Sequence, residues 1–145
     1  MFKHILVPTD GSKLSEKAVK RAVGVAKQIK AQVTALHVIP KFHTFTYQAE
    51  MLELTAKEYE ASSVERAREY LRFAERAAAT AGVTCDAVHV FSDQPYQEII
   101  KIARARRCDL ILMASHGRRG IEGFLLGSET QKVLTHSKVP VLVYR

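Results

Sequence analysis

Five short apolar runs punctuate this chain: Ile5-Leu6-Val7, Val33 to Ile39, Thr84 to Phe91, Leu110 to Ala114 and Val139 to Tyr144. Segments of helical period separate them. Strands this uniformly apolar are buried on both faces, and such strands joined by helices make a parallel sheet with crossovers on either side. The predicted class is therefore α/β, an open parallel sheet with helices on both faces. Right-handed crossovers restrict its topology further. At 145 residues, with no internal repeat, low-complexity tract or linker, residues 1–145 are expected to form a single domain.

The segment Pro8-Thr9-Asp10-Gly11-Ser12 closes the first strand, and Leu14, Ala18, Ala22, Val25, Ala26 and Ile29 then fall on one helical face, with Ser12 placed as N-cap. A later helix is expected to start at Gln94-Pro95, with proline at its tolerated first position and Ile99, Ile102 and Ala103 turned inward. Between the second and third strands the pattern predicts a helix from 49 to 81, stopped by Gly82. It would span about 50 Å at ~1.5 Å per residue, so a break or an irregular first turn is expected, with Ser62-Ser63 the place for it. Before that helix, residues 41–48 carry Phe42, Phe45 and Tyr47. A partly packed surface loop is the reading taken, with a flap over a ligand or a dimer contact as alternatives.

The formal charge of +7 permits contact with nucleic acid or a membrane surface, but charge bears on steering more than on fold. No specific nucleic-acid partner and no membrane association are expected. There is no apolar run of 18 residues, and Met1-Phe2-Lys3-His4-Ile5 enters a strand pattern at once, so a soluble, cytoplasmic protein is expected. Cys85 and Cys108 share no metal or redox spacing and read as buried, inert thiols. His4, His37, His43, His89 and His136 are scattered, so no intrinsic protein metal site is expected.

Function is to be sought after the fourth strand, where residues 114–128 hold four of the seven glycines. Glycine takes positive φ freely and lets a bulky anion approach the backbone, and Gly127-Ser128 is placed at the start of a helix whose unpaired amides would face that anion. Ser128-Glu129-Thr130-Gln131 fits a capping box, with Ser128 bonding a backbone amide of its own helix and Gln131 reaching back. Arg118 and Arg119 either clamp phosphates or remain solvated, and His116 touches a phosphate, acts as an acid or base, or bonds to loop backbone. A carboxylate at Glu129 near phosphates is unfavourable unless it points away or a cation intervenes. The chain lacks Gly-x4-Gly-Lys-Ser/Thr, so rapid ATP hydrolysis is not expected.

Ile5 to Ser12, Leu36-His37-Val38 and Ser115-His116-Gly117 through Gly127-Ser128 together resemble the universal stress protein family over the whole chain. That resemblance implies a Rossmann-like five-stranded parallel sheet in order 3-2-1-4-5. It also implies a stress-response or signalling module that binds adenine nucleotide, ATP above all, with at most weak ATPase activity. The family's ATP-binding members carry Gly-x2-Gly-x9-Gly-Ser/Thr. Here the pattern reads Ala114-x2-Gly117-x9-Gly127-Ser128, with alanine, which tolerates positive φ poorly, at the first position. By resemblance Pro8, Asp10, Val38 and Met113 would hold the adenosine end, and Gly117, Gly127, Ser128 and Thr130 the phosphates. Thr9, Ala114, Arg118 and Glu129, their chain neighbours, complete the nucleotide-binding set. Mg²⁺ would arrive on the phosphates. A homodimer through the edge strand 139–144 is expected on both the resemblance and the exposed apolar edge. The alternative is a nucleotide-independent, dimeric partner-binding protein on the same fold.

Overall fold

The computed structural model describes residues 1–43, 49–118 and 126–145, with side chains at 1–43, 55–118 and 126–145. The elements run β1 (His4–Pro8), α1 (Lys13–Ile29), β2 (Gln32–Ile39), α2 (Ala49–Ala81), β3 (Cys85–Phe91), α3 (Pro95–Ala105), β4 (Leu110–Ala114), α4 (Ser128–His136) and β5 (Val141–Tyr144). The strands form one parallel sheet in the order β3-β2-β1-β4-β5.

Successive side chains of a strand point to opposite faces, and here each face meets its own helical layer. Ile5 and Val7 of β1, with Leu110 and Leu112 of β4, pack on the α1 and α2 side. Leu6, Ile111 and Met113 pack with Ile99 and Ala103 of α3 and Val133 of α4 on the other. Ser12 caps α1 by accepting from the Ser15 amide at 3.2 Å, and Pro95 opens α3. Both cysteines are free, and burial pushes each thiol up to about 11, which keeps them protonated at neutral pH.

The expected break in α2 does not occur: 33 residues run as one helix. Ser62 donates its hydroxyl to the Tyr59 carbonyl at 3.2 Å without displacing the backbone ladder, and Ser63 is buried, where a small side chain suits close packing. The last strand is also shorter than its apolar run. Val139 and Pro140 precede β5, although the Pro140 carbonyl still accepts from the Ile111 amide at 2.9 Å. Of the 41–48 segment, 44–48 lies outside the described residues. Phe42 packs on Tyr59 of α2 at 5.4 Å between ring centroids, and His43 is 2.6 Å from the Asp93 carboxylate, so the described part is tied down.

Candidate functional site

The strand order reverses between β1 and β4, and in an open α/β sheet the crevice beyond the carboxyl ends at that point is where ligands lie. The loop after β1 is built around Thr9 and Asp10. The Thr9 amide bonds the Leu36 carbonyl of β2 at 2.8 Å, and its buried hydroxyl sits 3.1 Å from Ser15 Oγ. Asp10 accepts from the Ser12 amide at 2.9 Å and from the Arg118 amide at 2.7 Å. Burial pushes this carboxyl up, but the bonds from Ser12 and Arg118 outweigh it and hold Asp10 below the usual carboxylate range. Asp10 thus closes an Asx turn with Ser12 and also fastens the start of the glycine loop to the end of β1.

Arg118 crosses the crevice. Its Nε donates to the Asp10 carbonyl at 2.8 Å and its Nη2 to the Tyr70 hydroxyl at 3.1 Å, with the guanidinium 5.2 Å from the Tyr70 ring centroid. Tyr70 belongs to α2 and lies where a Cβ on Gly11 would stand; Gly11 also has φ +77°, so two constraints require glycine there. His37 meets Tyr70 edge-to-face at 5.1 Å and bonds the Thr9 carbonyl through Nδ1 at 2.8 Å. A carbonyl only accepts, so Nδ1 carries the proton. Burial lowers the His37 pKa despite that bond, leaving a neutral ring with Nε2 as an acceptor.

After β4, the glycines at 117 and 127 answer to space and not to φ. Neither lies in the left-handed region. A Cβ on Gly117 would run into the Asp10 carboxylate, and one on Gly127 would stand 3.1 Å from His116 Cα and 3.3 Å from the Ser115 carbonyl. The positive φ expected of a phosphate loop is absent at Ala114 too. Ala114 ends β4 in extended backbone, with its methyl in the α1–α2 core, so the alanine entails no strain.

The capping box is not formed. Gly127 is the N-cap of α4 and carries no side chain to fill the role; Ser128 is the first helical residue, and Gln131 reaches the Leu126 carbonyl at 3.2 Å. Glu129 turns away, its carboxylate accepting from the Tyr96 amide at the start of α3 at 2.9 Å and standing 3.4 Å from Lys132. Thr130 is buried and donates its hydroxyl to the Ala114 carbonyl at 2.9 Å. His116 sits 3.1 Å from the Ser115 hydroxyl, so its partner is a side chain and not loop backbone.

The structure therefore brings Thr9, Asp10, Gly117 and Arg118 together. Val38 and Met113 pack in the α3–α4 side cluster, and Pro8 ends β1. Gly127 and Ser128 lie at the mouth of α4, whereas the side chains of Glu129 and Thr130 are engaged elsewhere. Arg119 and the rest of 119–125 lie outside the described residues. Tyr70 went unread in the sequence, where nothing local ties it to Gly11. His37 had a signal, a lone ionisable residue inside the apolar run Val33–Ile39. A surface cavity of about 480 Å³ lined by Tyr96, Ile100, Lys101, Arg104 and His136 lies elsewhere and carries none of the expected site residues. Among the described residues no three metal-ligating side chains converge, and no helix is long and apolar enough to cross a membrane.

Three relatives place these features in context. The universal stress protein MJ0531 of Methanocaldococcus jannaschii is 32% identical over 146 aligned residues, covering 100% of this chain and 83% of its own. The solved structure of the hypothetical protein MJ0577 superposes with a TM-score of 0.84 at 31% identity, covering 99% of this chain and 95% of that one. A universal stress protein solved in complex with cAMP superposes at 0.72 with 26% identity, covering 99% and 97%. The sequence profile described as "Universal stress protein family" matches residues 1–145, and with the 3-2-1-4-5 sheet and the glycine spacing in place, the chain belongs to that family.

Proposed function

We propose that this protein binds an adenine nucleotide, with ATP preferred, in the crevice between β1 and β4, and acts as a stress-response or signalling module. The observation that carries the reading is an asymmetry among helix starts. Ser12 caps α1 and Glu129 caps α3, whereas α4 begins at a glycine with no capping side chain, beside the carboxyl end of β4. Its first amides would take the phosphates, as at anion sites on other helix N-termini.

The residues present fit such a group. Gly117 and Gly127 let Asp10, His116 and Ser115 close against their backbone and so shape the site, Ser128 and Arg118 supply donors, and Ala114, Glu129 and Thr130 would contribute backbone rather than side chains. Pro8, Thr9, Asp10, Val38 and Met113 would frame the adenosine end. Mg²⁺ would be held by phosphate oxygens and water. The relative solved with cAMP supports an adenine-bearing ligand. Hydrolysis would be slow at most, since the chain has no Gly-x4-Gly-Lys-Ser/Thr lysine.

Mass spectrometry of ligand released by denaturing fresh protein, followed by calorimetric titration with ATP plus Mg²⁺, AMP and cAMP, tests this. Adenine nucleotide in the released fraction, or micromolar binding with ATP tightest, is expected. No ligand and no heat at several temperatures would overturn the reading.

The second reading, a nucleotide-independent partner-binding protein, draws on the Arg118 latch across the crevice to Asp10 and Tyr70. In both readings β5 is a sheet edge with Leu142 41% exposed, and pairing of two such edges would make a cytoplasmic homodimer. Light scattering at micromolar concentration should give dimer mass, reduced to monomer by Leu142→Lys.

A further inference from the structure

We propose that the outer face of α1 docks on the phosphate backbone of duplex nucleic acid without regard to base sequence. Lys13, Lys17, Lys20, Arg21, Gly24, Lys27 and Gln28 are all exposed, and their spacing puts them within about 120° of arc at ~100° per residue. They form a stripe about 22 Å long at ~1.5 Å per residue, the rise of roughly six base pairs. Glu16, the helix's single carboxylate, lies half-buried at its flank. Among the described residues none of the five cations forms an ion pair; Lys20 lies over the Phe73 ring and Arg21 over Tyr144.

Two of these choices work against the helix itself. Lys13, the first residue of α1, places positive charge at the end where the dipole is already positive. Gly24 sits mid-helix, where glycine is a poor choice, and a Cβ there would meet nothing within 4 Å, so no packing inside the protein requires it. Instead Gly24 floors, with Val25, a surface basin of about 280 Å³ walled by Lys17, Lys20, Arg21, Gln28 and Tyr144. A basin with three cations on its rim and the Gly24 backbone in its floor suits an anion brought close from outside, and local rules broken together without internal reward mark sites of function.

The chemistry of the face selects the occupant. Lysine is depleted in protein–protein interfaces, and the stripe has no exposed apolar anchor. Insertion into a lipid surface needs an apolar helix face, but that of α1 is committed to the core through Ala18, Val19, Ala22 and Ala26. Tyr144 is half-buried beneath Arg21 and offers no free ring on which single-stranded bases would stack. A regular array of duplex phosphates remains.

Fluorescence anisotropy of a labelled 24-base-pair duplex of random sequence, followed from 50 to 200 mM salt, tests the proposal. Five cations on phosphates predict a slope of log K against log salt near −4.5, at about 0.9 per contact. The triple variant Lys17→Glu, Lys20→Glu, Arg21→Glu should bind at least about 100-fold more weakly, with a slope no steeper than about −2. A control with the same charge change elsewhere, Arg76→Glu, Lys101→Glu, Arg104→Glu, should lose less than about 10-fold, and Gly24→Leu, which fills the basin without altering charge, about 10-fold. Equal losses in the two triple variants would mean attraction to net charge alone and overturn the proposal. So would displacement of the duplex by saturating AMP at constant ionic strength, which would move the contact to the crevice, or tighter binding of polyglutamate or phosphatidylserine vesicles than of duplex.

Discussion

Ser12 and Gly127 occupy the same position in two helices and nearly the same backbone conformation, φ −69°, ψ 157° against φ −69°, ψ 158°, yet one fills the cap and the other leaves it empty. Both helices follow strands that flank the reversal of sheet order, so both N-termini lie beside the crevice. Backbone geometry does not dictate glycine at 127. The close approach of His116 and Ser115 does, together with the absence of any side chain competing for α4's first amides. One terminus is closed on its own chain and serves stability. The other is held open and, in the proposed function, serves the ligand.

Closing the open terminus is the severest test. Gly127→Ser, once His116 and the Ser115 carbonyl yield by a few tenths of an ångström to admit its Cβ, would adopt the conformation that Ser12 already shows and bond an N2 or N3 amide of α4. Withdrawing amides of about 1–3 kcal/mol from the phosphates predicts an ATP titration weaker by about 5- to 150-fold. A variant that remains folded by circular dichroism and binds like the parent would end the distinction between the two helix starts.

Thr130 separates the structural from the ligand-facing half of α4. Its buried hydroxyl is committed to the Ala114 carbonyl, so Thr130→Val leaves a buried acceptor unpaired and should destabilise by about 1–3 kcal/mol, lowering the Tm by about 2–12 °C. Nucleotide affinity should change less than about threefold, a shift under ~0.7 kcal/mol. An unchanged Tm with lost binding would instead make the hydroxyl a phosphate ligand.

The layout of these helices was legible in the sequence because the inner strands β2, β1 and β4 are runs largely buried on both faces, the edge strands β3 and β5 are still mostly apolar, and the starts of α1 and α3 carry their own signals. Ser12 and Pro95 behave as local rules require. Contacts between distant residues were not legible. The capping box at Ser128 failed by one position, because Gly127 takes the cap and Gln131 reaches the Leu126 carbonyl instead, and Glu129 is drawn to the Tyr96 amide, 33 residues away. The continuity of α2 through Ser62-Ser63 rests on burial that a propensity argument does not see. The crevice itself followed from strand order, but Tyr70, which fills the space above Gly11, comes from a helix that no spacing rule connects to it.

Ser12→Ala is the reciprocal of the first test. Loss of the cap should cost about 1 kcal/mol, or roughly 2–4 °C in Tm. It should leave the α4 amides, and with them the ATP titration, unchanged. If affinity falls as far as in Gly127→Ser, the two termini act as one site and their separation is wrong.

Glu129→Gln probes the smallest effect and the direction in which α4 spends its only first-turn acid. The carboxylate serves α3 by accepting from the Tyr96 amide, so losing its charge should destabilise by about 0.3–1 kcal/mol, the ordinary worth of a charge at a helix terminus. The same change removes a negative charge from the neighbourhood of the open α4 amides, so a phosphate-bearing ligand should bind about two- to threefold tighter, while adenosine, which carries no phosphate, should be unaffected. Weaker ATP binding in Glu129→Gln would place the carboxylate, or a cation that it holds, against the phosphates. That result would contradict the arrangement in which α4 lends its acid to a neighbouring helix and keeps its own N-terminus bare.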